Sequence, residues 1–218
     1  MSKMAKWCVL PATVLLLGSA ALGQNPSSTG SPTGGSSPAS STAPKPPTVA
    51  ERKENQQDRI ANGVKSGQLT AGETASLESK EAAINGETRA DRAANGGKLT
   101  SAEKQQINRQ QNQLSKQIYQ DKHNANTAHY GNNEVGQRRE NQQDRIAQGV
   151  KSGQLTAGET AKLENQQKGI NQQVQADRAA NGGKLTPGEK KQINKEQNAA
   201  SKNIYNKKHN GNTQGTKK

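Results

Sequence analysis

Large apolar side chains are sparse along this chain, and they fall in steps of seven and four. Leu77 and Ile84 are seven apart, and Ile107, Leu114 and Ile118 follow with seven and four. Further on, Leu163, Ile170 and Val174, then Ile193, Ala200 and Ile204, repeat the spacing. Such steps return to one side of a helix and draw a narrow stripe, the seam of an antiparallel coiled coil. No stretch alternates apolar and polar residues as a half-buried strand would. The fold class read from the pattern is all-α.

One phrase, used four times, breaks the pattern into elements: a glycine, then Leu-Thr, then a glutamate three residues after the threonine. Its members are Gly67, Leu69, Thr70 and Glu73; Gly97, Leu99, Thr100 and Glu103; Gly153, Leu155, Thr156 and Glu159; and Gly183, Leu185, Thr186 and Glu189. Glycine ends one helix in the left-handed conformation. Threonine caps the next, and glutamate at the third helical position bonds back to the cap. Pro187 falls at a first helical position, where its missing N–H matters least.

The whole pattern occurs twice. Glu54 to Ile60 matches Glu140 to Ile146, and an ungapped shift of 86 carries the match through Ser115, Lys116, Ile118 and Tyr119 to His123 and His209. Each copy divides into three helices. The expected spans are about 49–65 (capped by Thr48, with Glu51 at the third position), 71–94 and 101–123. In the second copy they are about 135–151, 157–180 and 187–208. Short turns make successive helices antiparallel. Two tandem three-helix units therefore follow, 48–124 and 135–210, with a loop at 125–134 and a disordered tail at 211–218. Residues 51–59 are wholly polar, so the first two turns of the first helix are expected to be solvated or frayed. Each unit reads as an elongated hairpin with a third helix against one end.

Composition limits how much these helices can bury. Only 28% of residues are hydrophobic, mean hydropathy is −1.11, Phe is absent and the one Trp is residue 7. Burial then barely offsets the entropy of ordering, and any core is thin. The first 23 residues differ: Lys3 and Lys6 precede an apolar run from Trp7 to Leu17, and Ala21, Leu22 and Gly23 suit a signal peptidase. Pro11 interrupts the run, which is shorter than the roughly 20 residues of a spanning helix. Residues 1–23 are read as a cleaved signal peptide and 24–47, rich in Ser, Pro, Gly and Thr, as a disordered linker. Cys8, the only cysteine, leaves with the signal, so the mature chain has no disulfide or thiol site. Cleavage leaves 29 basic against 18 acidic residues, a net +11. Such a charge suits anionic envelope polymers or lipid headgroups.

Specific chemistry is scarce. The repeated phrase resembles the second half of an EF-hand, with glycine, aliphatic and glutamate at positions six, eight and twelve. Counting back, however, puts Asn62, Val64 and Ser66 where ligands belong; the other loops give Arg92, Ala94 and Gly96, or Arg178, Ala180 and Gly182. Asp91 and Asp177 fall one place out of frame. His123 and His209 close helices, where a cation favours the dipole, and with His129 they lack ligand spacing. Basic residues alternate with Glu, Gln and Asn, and three tyrosines offer little stacking, which argues against nucleic acid. No nucleophile motif, phosphate loop or paired-carboxylate pocket is present. No catalytic, cofactor-binding or metal residue is assigned, and no cofactor.

The set running from Arg59 to Glu73 and from Arg145 to Glu159, followed by Ser115 to His123 and Ser201 to His209, resembles exported bacterial helical-repeat proteins. The resemblance covers both units and not the linker. It implies a bacterial source and export to the periplasm or medium, and lends no activity. The sequence thus points to an exported, non-enzymatic binding or scaffolding module. Its expected partner is an envelope protein or anionic envelope polymer, with no transmembrane anchor after cleavage. The alternative is a degenerate EF-hand-like calcium-responsive protein.

Overall fold

The computed structural model describes residues 45–214. The expected signal peptide, linker residues 24–44 and the last four residues of the tail lie outside them. Six helices and no strand occur among the described residues: α1 (Val49–Lys65), α2 (Ala71–Ala94), α3 (Ser101–Lys122), α4 (Glu134–Lys151), α5 (Ala157–Ala180) and α6 (Pro187–Lys208). Five begin with the expected reciprocal cap, Thr48 with Glu51 and the four threonines with their glutamates. The sixth, α4, starts one residue earlier than its spacing suggests because Asn133 caps it, accepting from the Gly136 N–H at 3.0 Å.

The turns also follow the sequence. Gly67 has φ +72°, open to glycine at little steric cost. Leu69 then folds back over α1, its N–H donating to the Gly63 carbonyl at 3.0 Å. A methyl at Gly63 would come within 2.7 Å of Leu69, so this close approach requires glycine. Gly149 and Leu155 repeat the arrangement.

Every apolar residue of the predicted stripes is buried. Ile60, Val64, Leu69, Leu77, Ile84, Leu99, Ile107, Leu114 and Ile118 form the core of the first repeat. One expectation fails and another holds only in part. The third helix is not confined to one end: Ile107 near its start and Ile118 near its finish are both fully buried in that core. The first turns of α1 face solvent at Ala50, Glu51 and Asn55, as expected, but they are not frayed. Gln56 is buried and donates to the Gln111 carbonyl (2.6 Å) and the Ser115 hydroxyl (2.8 Å); Gln111 in turn donates to the Val49 carbonyl (2.9 Å). A polar helix face is held because hydrogen bonds replace those lost to water. The second repeat reproduces the bonds with Gln142, Gln197, Ser201 and Val135.

The tail expectation fails for residues 211–214 as well. The Gln214 N–H donates to the Gly153 carbonyl at 3.0 Å, as the Ala128 N–H does to Gly67 at 2.8 Å. Asn210 and Asn212 bond one oxygen of Glu159, as Asn124 and Asn126 bond Glu73. The cap glutamate therefore serves two structures with its two oxygens. Burial pushes the Glu73 carboxyl up, but bonds from Thr70, Asn124 and Asn126 outweigh it and lower its pKa. Glu73→Ala is expected to destabilise by about 1–2 kcal/mol, in the range of a lost cap, and to free 124–128. Amide exchange at Ala128 reads this out; unchanged protection there would refute the anchoring role.

The two repeats pack into one body along two helix pairs, α2 with α5 and α1 with α4. Gly72 at the start of α2 lies beside Lys168, and Gly158 at the start of α5 lies beside Ala82. The shift of 86 carries Gly72 onto Gly158 and Ala82 onto Lys168, so the same contact occurs twice, once in each direction. That is the pattern of antiparallel helices about a two-fold axis. Ala147 likewise packs into the first repeat's core while Ala61 packs into the second's.

Candidate functional site

Two features of the seam between repeats carry chemistry: a set of buried carboxylates and a pair of related grooves.

Glu78, Glu81 and Glu164 are completely buried. Gln57 donates to Glu78 at 3.0 Å, and its counterpart Gln143 donates to Glu164 at 2.8 Å. Burial pushes the Glu78 carboxyl up to about 8, opposed by the Gln57 bond and reinforced by Glu81 and by Glu164 of the other repeat. Burial likewise raises Glu164 to about 8. It raises Glu81 to about 7, opposed by Lys53 and Asn85. Desolvation penalises the charged form, so Glu78 and Glu164 are mainly neutral at pH 7.

Position 81 breaks the symmetry. Its counterpart is Gln167, whose amide donates to the Gln142 Oε1 at 3.0 Å. In the first repeat, both Glu81 oxygens and the matching Gln56 Oε1 are buried and unpartnered. A carboxylate can only accept, whereas a protonated carboxyl supplies the missing donor. The second repeat thus shows the bond that a protonated Glu81 would make.

Each repeat also builds a groove where one middle helix begins beside the middle of the other. The first, about 310 Å³, is lined by Thr70 to Gly72, Lys168, Asn171 and Arg139, with His129 and Tyr130 of the inter-repeat loop. The Arg139 guanidinium lies 5.4 Å from the centre of the Tyr130 ring, a cation–π contact. The second groove, about 920 Å³, is lined by the counterparts Thr156 to Gly158, Ala82, Asn85 and Lys53, together with Arg89, Arg92, Lys162 and Lys207. Lys53 donates to the Gln214 carbonyl at 2.6 Å, and burial lowers its pKa.

The histidines do not converge into a ligand set. His123 and His209 each bond the carbonyl four residues back at 2.7 Å and stack on Tyr119 or Tyr205 at 4.2 Å. His129 pairs with Thr127. Among the described residues no group of three or more His, Cys, Asp or Glu is placed to hold a metal, and no helix is long and apolar enough to cross a membrane. The four glutamates at the EF-hand-like twelfth position are engaged in caps, and each has its second oxygen bonded by asparagine: Asn124 and Asn126, Asn95, Asn210 and Asn212, or Asn181. That arrangement leaves none of them free for the bidentate grip the loop needs.

No family model, curated protein or solved structure matches this chain.

Sequence reading missed both features of the seam. Gln57 falls in the polar stretch 51–59, and Glu78 and Glu164 lie off the apolar stripes, so none of them signals burial. The available signal was their identity in both copies, Gln57 with Gln143 and Glu78 with Glu164.

Proposed function

We propose that the chain is an exported, non-enzymatic binding or scaffolding module that attaches to an anionic polymer of the cell envelope. The observation that carries this reading is where its acidic residues go. Of 18 acidic residues, Glu51, Glu73, Glu103, Glu159 and Glu189 are tied into helix caps. Glu78, Glu81 and Glu164 are buried. The five cap glutamates stay ionised, but burial takes Glu78, Glu81 and Glu164 off the surface, so the surface facing a partner is more positive than the formal net charge conveys. Such a surface attracts polyanions through counterion release, and the attraction weakens steeply with salt. The mature chain is expected to co-sediment with envelope material, and to be released as salt rises from about 0.05 to 0.2 M. Binding indifferent to salt, or none, would sink the proposal.

A further inference from the structure

The geometry points to the larger groove, between the start of α5, the second half of α2 and the end of α6, as the place where a linear phosphate-bearing polymer binds. This rests on the anionic-polymer reading above and adds the site. The duplication supplies an internal control. In the first groove the positions matching Arg89, Lys162 and Lys207 are Gln175, Ser76 and Asp121. Against these three, Lys168 of the first groove is matched by Ala82, so the second groove is ahead by two cations and has one acid fewer, while it keeps the scaffold of Thr156 to Gly158 and Asn85.

Those cations are not spent within the protein. The side chains of Arg89, Arg92 and Lys162 are exposed and have no hydrogen-bond or ion-pair partner among the described residues. Lys207 has a distant one, Glu159 at 3.9 Å, and that carboxylate is already bonded by Thr156, Asn210 and Asn212. His129 and Tyr130 form part of the first groove's lining. Apart from Glu159, which lines the groove, the neighbouring stretches of sequence add no counter-charge. Residues 24–47 contain no Asp or Glu, and 215–218 contain Lys217 and Lys218. These exposed cations suit a polyanion supplied by another molecule. Paired arginine forks suit phosphate oxygens, and a groove of about 920 Å³ is far larger than one phosphate, which favours a chain of them.

The test compares two full-length variants for binding to long-chain polyphosphate. One is Arg89→Gln, Arg92→Gln and Lys162→Ser, two of the three being the residues that the first groove has at the matching positions, Gln175 and Ser76. The other is Lys190→Gln, Lys191→Gln and Lys195→Gln, which removes three exposed charges from α6 elsewhere. The groove variant is expected to bind about tenfold more weakly and to lose about two units of salt slope. The α6 variant should stay within about twofold, and thermal melts should match wild type for both. Lys162→Ser alone, with little risk to folding, should lose about threefold. Equal losses in the two triple variants would overturn the groove assignment and leave the anion-binding reading standing. Failure of the wild type to bind any polyanion would overturn both. Tighter binding to phosphatidylglycerol vesicles than to polyphosphate would overturn the polymer as occupant.

Discussion

Glu81→Gln is expected to stabilise the protein, by on the order of 2 kcal/mol at pH 9 and by little below the ordinary carboxyl value of 4.5. The sign follows from linkage. Glu81 has its carboxyl raised to about 7, so the folded chain holds a proton that the unfolded chain releases. Stability from this group is present below pH 4.5, declines as pH rises, and is at its lowest above 7. Glu78 and Glu164, raised to about 8, extend the decline by about a unit. Glutamine removes the ionisation and supplies the donor that Gln56 Oε1 wants, as Gln167 does for Gln142 in the other repeat. Lys53 loses a favourable neighbour, a smaller effect because it is only partly buried and keeps its bond to Gln214. At the acid end the caps dominate. Glu73 and Glu159 have lowered pKa values, so their contribution is lost as pH falls below 4.5. Stability should therefore peak near pH 5. Urea melts from pH 3 to 9 on wild type and Glu81→Gln check this; a wild-type stability that is flat between pH 5 and 9 would defeat it.

Ile60→Ala should destabilise by about 3 kcal/mol, the middle of the range for a buried isoleucine, and should lower the unfolding of both repeats together. Ile60 is fully buried in the first repeat's core. Its neighbour Ala61 belongs to the second repeat's cluster, and Ala147 to the first's. A loss on one side therefore removes the surface against which the other is packed. Calorimetry should show one transition displaced as a whole. Two transitions, with the second repeat melting at its wild-type temperature, would mean that the repeats are energetically separate.

Much of each repeat was readable before any coordinates. Helix ends came from Thr70, Thr100, Thr156, Thr186 and their glutamates, because a capping box acts within four residues. The buried stripes came from Leu77, Ile84, Ile107 and their counterparts, because apolar spacing records which side of a helix avoids water. The candidate site was not readable in the same way. Gln56, Gln57 and Glu78 are buried through bonds to residues distant in sequence, and Glu81 is buried without one, whereas a hydropathy pattern treats each side chain as if it faced water alone. Residues 211–214 carry no mark of order in the sequence, because Gly, Asn and Thr give no periodic signal. Their anchors, Gly153 and Glu159, lie more than fifty positions back.

The sequence by itself determined that this protein is helical, where its helices begin and end, and that one three-helix pattern occurs twice, since all three are written in local spacing. Only the tertiary structure decided that the two copies close on each other about a two-fold axis. That closure drives three glutamates out of water and gives the larger of two sister grooves three exposed, unpaired cations, Arg89, Arg92 and Lys162. The reason is that a surface defined by a second copy of itself has no local signature: its polar residues look solvated until the copy 86 positions away covers them.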